Sequence, residues 1–325
     1  MRTIVQKKSD DFTPLVSIVV VNYRNVPVTR DLLKSLRSVT YPSVEIIVVD
    51  NKSDDDIAET LPVEFPEIKL ILSQKNLGYA GGNNLGIRAS RGELILVINN
   101  DVEVTTGFLE PLVKVFCLFP LAGIVSPKIV YHDSRKIQYA GSAGISPWTG
   151  RGKKIAHLRD DDGTYDYTTE TELIHGACMM FSRRFMEEAG LMPEIFFLYY
   201  EEHDWAQAAK RKGFKLYFAG ASKIYHKASS TVGKESPLQT YHMTRNRLLY
   251  LRRNVANPAF IGSMLFFAFL SIPMNLMRYS VRGDLANGRA FIQGIVWHFG
   301  HNPVHINQSA APDTFQHYRE APNNY

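Results

Sequence analysis

The chain has 325 residues, 45% hydrophobic and 11% aromatic, which excludes a disordered or fibrous polypeptide and allows one large domain with an appendage. Its net charge of +5 is unevenly spread: residues 206–290 hold 14 Lys and Arg against two acids, Glu235 and Asp284. An acidic part therefore precedes a basic one, which suits a phosphate-bearing ligand or an anionic surface.

Residues Met1 to Pro14 are polar and lack the apolar stretch of a secretory signal. Cys117 and Cys178 sit in apolar runs and read as core thiols of a reducing, cytoplasmic compartment. Val16 to Val21 is a continuous β-branched run, expected of a strand covered on both faces, and Val28 to Ser38 carries Leu32, Leu33 and Leu36 at helical spacing. Glu45 to Val49 and Leu94 to Ile98 repeat the buried-strand pattern, and Lys69 to Leu72 is a shorter strand. Between them NLGYAGGNNLG (Asn76 to Gly86) reads as a glycine-rich turn opening a helix over Asn83 to Ser90. Its Gly78, Gly81 and Gly82 would allow close backbone approach, with Asn83 and Asn84 offering amides to a diphosphate. Strand-helix alternation of this kind predicts an α/β fold, a mainly parallel sheet with helices on both faces and ligands beyond the carboxyl strand ends.

Polar residues follow those ends: Asn22 after the first strand, Asp50 after the second, and Asn99, Asn100 and Asp101 after Leu94 to Ile98. One such residue is ordinary turn chemistry; three on neighbouring strands make a constellation. A carboxylate at Asp101 suits a hard divalent cation shared with phosphate oxygens, and Asp50 suits a nucleobase or a ribose hydroxyl. Farther on, Phe196 to Phe214 runs from aromatic residues into Glu201, Glu202 and Asp204 at the start of a helix. Such acids complement a helix dipole or supply a base for transfer to a hydroxyl. His226 is a structural histidine or a metal ligand.

Pro258 to Met277 holds no charged residue, but Pro273 interrupts it and Arg252, Arg253, Arg278 and Arg282 flank it. An interfacial or re-entrant helix, a membrane span and a buried core helix all fit it. Basic flanks favour contact with an anionic cytoplasmic leaflet, and Arg245, Arg247, Arg252 and Arg253 would then face lipid headgroups or an acceptor's pyrophosphate.

In combination VSIVVVNYRN, VVDNKSDDD, NLGYAGGNN, INNDVEV, HGACMMFSRR and FFLYYEEHDW resemble glycosyltransferase family 2, in its bacterial cell-surface polysaccharide, rhamnosyltransferase-like branch. The resemblance runs from about Val16 to Arg253. It implies a GT-A fold, a UDP- or dTDP-sugar donor, Mn²⁺ or Mg²⁺, and transfer with inversion to a saccharide or lipid-linked acceptor. Donor contacts would come from Asn22, Asp50, Asn76, Gly78, Gly82, Asn83, Asn99 and Asn100, and Asp101 with His226 would hold the metal. Glu202 would be the base, Glu201 its understudy and Asp204 an orienting group. His175, Gly176, Arg183 and Trp205 would lie near the acceptor or the diphosphate. The expected division is a catalytic domain over 1–254, an apolar and basic membrane-associating region over 255–300, and a loosely ordered polar tail over 301–325. A nucleotidyltransferase is disfavoured because NYRNVPVTR after the first strand lacks glycine, and a processive synthase because it needs several spans. Nucleic-acid binding is disfavoured because the basic residues flank an apolar run rather than a stacking platform. The remaining alternative is a catalytically silent membrane scaffold with the same fold.

Overall fold

A computed structural model of the protein describes residues 12–53, 56–227 and 236–300. The polar start and the tail over 301–325 lie largely or wholly outside the described residues. The chain begins as expected: β1 (Val16–Asn22), α1 (Val26–Leu36), β2 (Val44–Asp50), α2 (Ile57–Glu64), β3 (Ile68–Leu72), α3 (Gly78–Ala89) and β4 (Leu94–Asn99). There follow β5 (Val102–Val104), α4 (Leu109–Leu118), β6 (Ala122–Tyr131), β7 (Ile137–Tyr139), β8 (Ser142–Ile145), β9 (Gly152–Lys154), β10 (Thr168–Glu170) and β11 (Cys178–Ser182). Helix α5 (Arg183–Ala189), α6 (Glu201–Arg211), β12 (Lys215–His226) and α7 (Pro237–Asn254) come next. Among the described residues ten strands form one sheet, along β10-β12-β6-β11-β4-β1-β2-β3, with β5 paired to β12 and β7 to β6.

The half made of β4, β1, β2 and β3 is parallel, and β11 enters antiparallel between β4 and β6. Alternation along β1 explains why its run is apolar throughout. Val16, Ile18 and Val20 join a core with Leu32, Leu33, Phe108 and Leu112 on one face. Val19 joins a second core with Ile87, Phe181, Phe185 and Trp205 on the other.

The glycine-rich segment differs from its sequence reading. Its helix starts at Gly78, five residues before the expected start, and most of the glycines lie inside it. A Cβ on Gly86 would stand 2.3 Å from Val19 Cγ1, and one on Gly82 would stand 3.0 Å from Val21 Cγ1. These glycines let α3 lie flush on β1. Gly78 itself has φ +70°, and a Cβ there would meet Phe197 O at 2.4 Å.

Beyond α7 the chain forms α8 (Ala259–Phe266), a π-helical turn (Phe267–Ser271), α9 (Ile272–Val281) and α10 (Leu285–Gly300). The first three are continuous over Ala259–Val281, with mean hydropathy 1.8 and 17% of the most apolar window buried. The core-helix alternative for this run is thereby overturned. Its inner face buries Ser263, Phe267 and Ser271, Phe267 packing with Leu248 and Leu251 of α7, whereas Ile261, Leu265, Phe269, Leu270, Met274, Met277 and Val281 are exposed. Leu270 apart, these exposed positions step by four, four, five, three and four; the step of five crosses the π turn, whose extra residue keeps the stripe on one face.

Candidate active site

Parallel pairing places Asn22 beside Asp50 and Val21 beside Asn99, so the polar strand ends converge as expected. Asn22 Nδ2 donates to Asp50 Oδ1 at 3.0 Å and Thr29 Oγ1 donates to Asn22 Oδ1 at 2.7 Å. Asn100 Nδ2 donates to Thr29 Oγ1 at 3.1 Å, which ties Asn100 to the same network. Asp50 Oδ2 accepts from Ser53 N at 2.9 Å, and Asp50 Oδ1 also accepts from Ser53 Oγ. A carboxylate has about four lone-pair sites, so this network leaves Asp50 room for one further donor. Asn99 ends β4 with a buried Oδ1 that meets no hydrogen-bond donor among the described residues.

The start of α3 cannot present its first amides to a diphosphate. Leu77 N donates to Asn51 Oδ1 at 2.9 Å, Gly78 N to Asn76 Oδ1 at 2.9 Å, and Tyr79 N to Phe197 O at 2.6 Å. Asn76 Oδ1 and the Gly78 backbone are thus engaged in holding the loop. Asn84 donates to Met192 O and to Glu194 Oε1, at 2.9 and 2.8 Å. Asn83 Nδ2 bonds back to Tyr79 O at 2.9 Å.

Asp101 and His226, distant in sequence, meet because β5 pairs antiparallel with the end of β12, His226 opposite Val102. His226 Nε2 lies 3.1 Å from Asp101 Oδ1, and both residues are buried. On the far side of the ring, Nδ1 lies 2.8 Å from Gln138 Oε1. An amide oxygen only accepts, so Nδ1 donates to Gln138 and Nε2 is the ring nitrogen turned to the carboxylate. A proton or a cation can sit between Nε2 and Oδ1. Among the described residues no cluster of three or more His, Cys, Asp or Glu surrounds a metal position. A carboxylate with one imidazole nonetheless fits a divalent ion whose other ligands come from a diphosphate.

Next to this pair stands His175, its ring centroid 6.1 Å from that of His226. Burial pushes its imidazole well below the usual range, and Lys154 and His226 add to the effect. Ala177 N donates to His175 Nδ1 at 3.2 Å, so the neutral ring carries its proton on Nε2. Gly176 follows, and its Cα carries no side chain where Glu202 comes closest: a Cβ there would lie 3.5 Å from Glu202 Cδ. Tyr79 Oη donates to Gly176 O. Thus Asp101, His226, His175, Gly176 and Glu202 form one unbroken run of neighbouring groups.

The two glutamates at the start of α6 differ. Glu201 is 3% exposed, and burial first, then the neighbouring Glu202, pushes its carboxyl well above the usual range. Glu202 is half-buried, beside Gly176 and 3.8 Å from His203 Nδ1. Asp204 faces elsewhere: Arg253 grips both its oxygens at 3.0 and 3.1 Å, and Asn254 donates at 2.6 Å, so it fastens α6 to α7.

Several expectations are corrected. Arg183 sits at the other end of β11, where it donates to Gly92 O and Ser90 O at 2.9 and 3.0 Å, far along the strand from Asp101. Trp205 is a core residue, 1% exposed, packed on Phe181 and donating to Gly190 O at 2.9 Å. Of the four arginines expected at headgroups or an acceptor's pyrophosphate, three are engaged inside the protein: Arg245 is 1% exposed, Arg247 donates to Thr149 O and Arg253 holds Asp204, whereas Arg252 is exposed beside His298.

Sequence reasoning missed Tyr79, Gln138 and Lys154. Lys154 is exposed overall, yet surrounding protein pushes its ammonium down while Glu202 pulls it up. No local pattern marks these three, because each reaches the site from a different element.

The family described as Glycosyl transferase family 2 matches residues 17–190. Among curated relatives, the low-salt glycan biosynthesis hexosyltransferase Agl10 of Haloferax volcanii is 29% identical, over 72% of this chain and 74% of that protein. The N-acetylglucosaminyl-diphospho-decaprenol L-rhamnosyltransferase of Mycobacterium tuberculosis is 25% identical, over 67% of this chain and 78% of that protein. The Pyrobaculum calidifontis mannosyltransferase PcManGT, solved with GDP-Man and Mn²⁺, superposes with a TM-score of 0.54 at 15% identity, over 93% of this chain and 88% of that one. That likeness establishes the fold.

Proposed function

The chain belongs to glycosyl transferase family 2, a glycosyltransferase of glycan synthesis that draws on a nucleotide-sugar donor, and from that premise we propose that it moves a hexose, with inversion, onto a lipid-linked saccharide. The observation that carries the reading is the unbroken run of neighbouring groups from Asp101 and His226, through His175 and Gly176, to Glu202.

The donor's nucleoside rests on the Asn22, Asp50 and Asn100 network, where Asp50 retains acceptor capacity. The acceptor hydroxyl attacks the anomeric carbon from the face opposite the diphosphate. The bond from that carbon to the acceptor oxygen forms as the bond to the diphosphate oxygen breaks. Glu202 takes the hydroxyl proton. Glu201 is unsuited to that task, since its burial favours the protonated form. The Nε2–H of neutral His175 donates toward charge gathering on the departing diphosphate. A divalent cation, Mn²⁺ or Mg²⁺, would be held by Asp101 and His226 and would neutralise charge on the diphosphate.

The lipid-linked acceptor is supported by the exposed apolar stripe of α8 and α9, which suits an enzyme that meets its substrate at a membrane surface. The rhamnosyl names of two relatives, from Mycobacterium tuberculosis and Shigella flexneri, favour dTDP-rhamnose as donor. The test is a screen of UDP-, dTDP- and GDP-sugars with Mn²⁺, scoring release of nucleoside diphosphate and transfer to a lipid-diphosphate saccharide. Turnover of one donor, lost in Asp101→Ala and Glu202→Gln, is expected. Transfer that survives Glu202→Gln would remove Glu202 as the base.

A further inference from the structure

The segment just ahead of the acidic pair has a backbone that the chain does not adopt unaided. Phe197 has φ 62° and ψ −54°, the rare γ-turn conformation, and Leu198 N donates to Phe196 O across it at 2.7 Å. Tyr199 at φ 69° and Tyr200 at φ 75° follow in the left-handed region. Strained residues of this kind persist only where their surroundings over-determine them.

The restraint comes mainly from α7. Asn246 Nδ2 donates to Phe196 O, Leu198 O and Tyr199 O at 2.8, 2.7 and 2.7 Å. Arg245 Nη2 donates to Ile195 O and Phe196 O at 2.6 and 2.8 Å, while its Nε donates to Asn246 Oδ1 at 2.7 Å. The remaining carbonyl, Phe197 O, accepts from Tyr79 N of α3 at 2.6 Å. Every carbonyl from Ile195 to Tyr199 is thus held by a group outside the segment. Both α7 side chains are buried, Arg245 at 1% and Asn246 at 0% exposure.

We propose that Asn246, with Arg245, is a positioning residue of the transfer reaction: it fixes the strained backbone of 196–200 and so aims Glu202 at the acceptor hydroxyl, touching neither substrate. The proposal rests on Glu202 being the base. Its loss lets Phe197, Tyr199 and Tyr200 relax toward negative φ, which turns the start of α6 while the donor network on β1, β2 and β4 stays in place.

The experiment uses the full chain, with dTDP and UDP as binding probes in calorimetry, transfer kinetics at saturating donor, and thermal unfolding. Asn246→Ala is expected to lower kcat about 100-fold, the size of effect that a small misplacement of a reacting group produces, with nucleotide Kd within about twofold of the parent. Asn246→Ser, which keeps one donor, falls between the two. Adding Tyr199→Gly to Asn246→Ala returns at least about fivefold of kcat, because glycine takes positive φ without strain. A kcat for Asn246→Ala within about threefold of the parent overturns the proposal. So does a loss of kcat that only matches the fraction unfolded, or a double variant that recovers nothing. Should Asn246→Ala not fold, Asn246→Ser with and without Tyr199→Gly gives the same comparison. Glu202→Gln in parallel separates the two ideas: transfer retained there removes the base assignment, whereas transfer abolished there with Asn246→Ala unimpaired removes only the positioning role.

Discussion

Glu201 and Glu202 are neighbours in sequence with opposite surroundings, and the difference is open to titration. The Glu201 carboxyl is raised well above the ordinary range, chiefly by burial. Its folded state therefore holds the proton more tightly than the unfolded chain, whose carboxyl titrates near pH 4.3 or about that value. The sign follows: the group's stabilising contribution is complete below that pH and is lost as pH rises through the raised folded value. Glu201→Gln abolishes the loss, so the variant should melt higher than the parent at pH 8 and match it near pH 4. Melting curves across that range check this, and parallel curves would mean that Glu201 is not held protonated. A second residue-scale expectation concerns Gln138, which fixes the His226 ring through Nδ1. Gln138→Leu frees the ring, and the Mn²⁺ concentration for half-maximal transfer should rise roughly 10- to 100-fold, as when other groups that orient metal ligands are removed. An unchanged Mn²⁺ titration would remove His226 from the metal site.

At the scale of elements, sequence and structure part where packing rather than chemistry sets the residue. The strands of the parallel half were legible because β-branched runs bounded by polar ends have few other uses. The polar ends of β1, β2 and β4 were legible for the same reason. Helix α3 was misread: glycine suggests a phosphate loop by composition, and only the contacts reveal that Gly86 and Gly82 meet the Val19 and Val21 side chains. Gly86→Ala measures the difference. In an open helix it would gain roughly 1 kcal/mol from propensity. Here the added Cβ would meet Val19 Cγ1 at 2.3 Å, so overpacking should win and destabilise the fold by about 1–3 kcal/mol. Denaturant unfolding decides the sign; a stabilised variant would mean that α3 can lift off β1. Trp205 and Arg183 were misassigned for a related reason. Trp205 follows Asp204 and Arg183 closes the segment that begins at His175, but helix and strand geometry carry one into the core and the other to the far end of β11.

For the whole molecule, the basic C-terminal half acquires a meaning that its charge count does not contain. Arg245 and Arg253 fasten α7 to the segment ahead of α6 and to Asp204, while Trp297 of α10 lies 5.0 Å beneath the Arg245 guanidinium. The helices that display the apolar stripe are therefore joined to the element that carries Glu202, and α8 and α9 leave most of their large apolar side chains facing outward. Arg278 and Arg282 flank that stripe. If the stripe seats in a bilayer surface, replacing Leu265, Phe269 and Met277 together with serine should weaken binding by about 4 kcal/mol, roughly 1,000-fold. The change removes exposed apolar surface only, so melting temperature and nucleotide binding should stay near the parent's. Flotation with phosphatidylcholine vesicles, with and without anionic lipid, reads the partition directly. Anionic lipid should strengthen binding of both proteins by about 1 kcal/mol for each engaged arginine, an increment that salt erases while the apolar part survives. Equal flotation of the triple variant and the parent would mean that the stripe is covered by something other than lipid, and that the acceptor reaches Glu202 from solution.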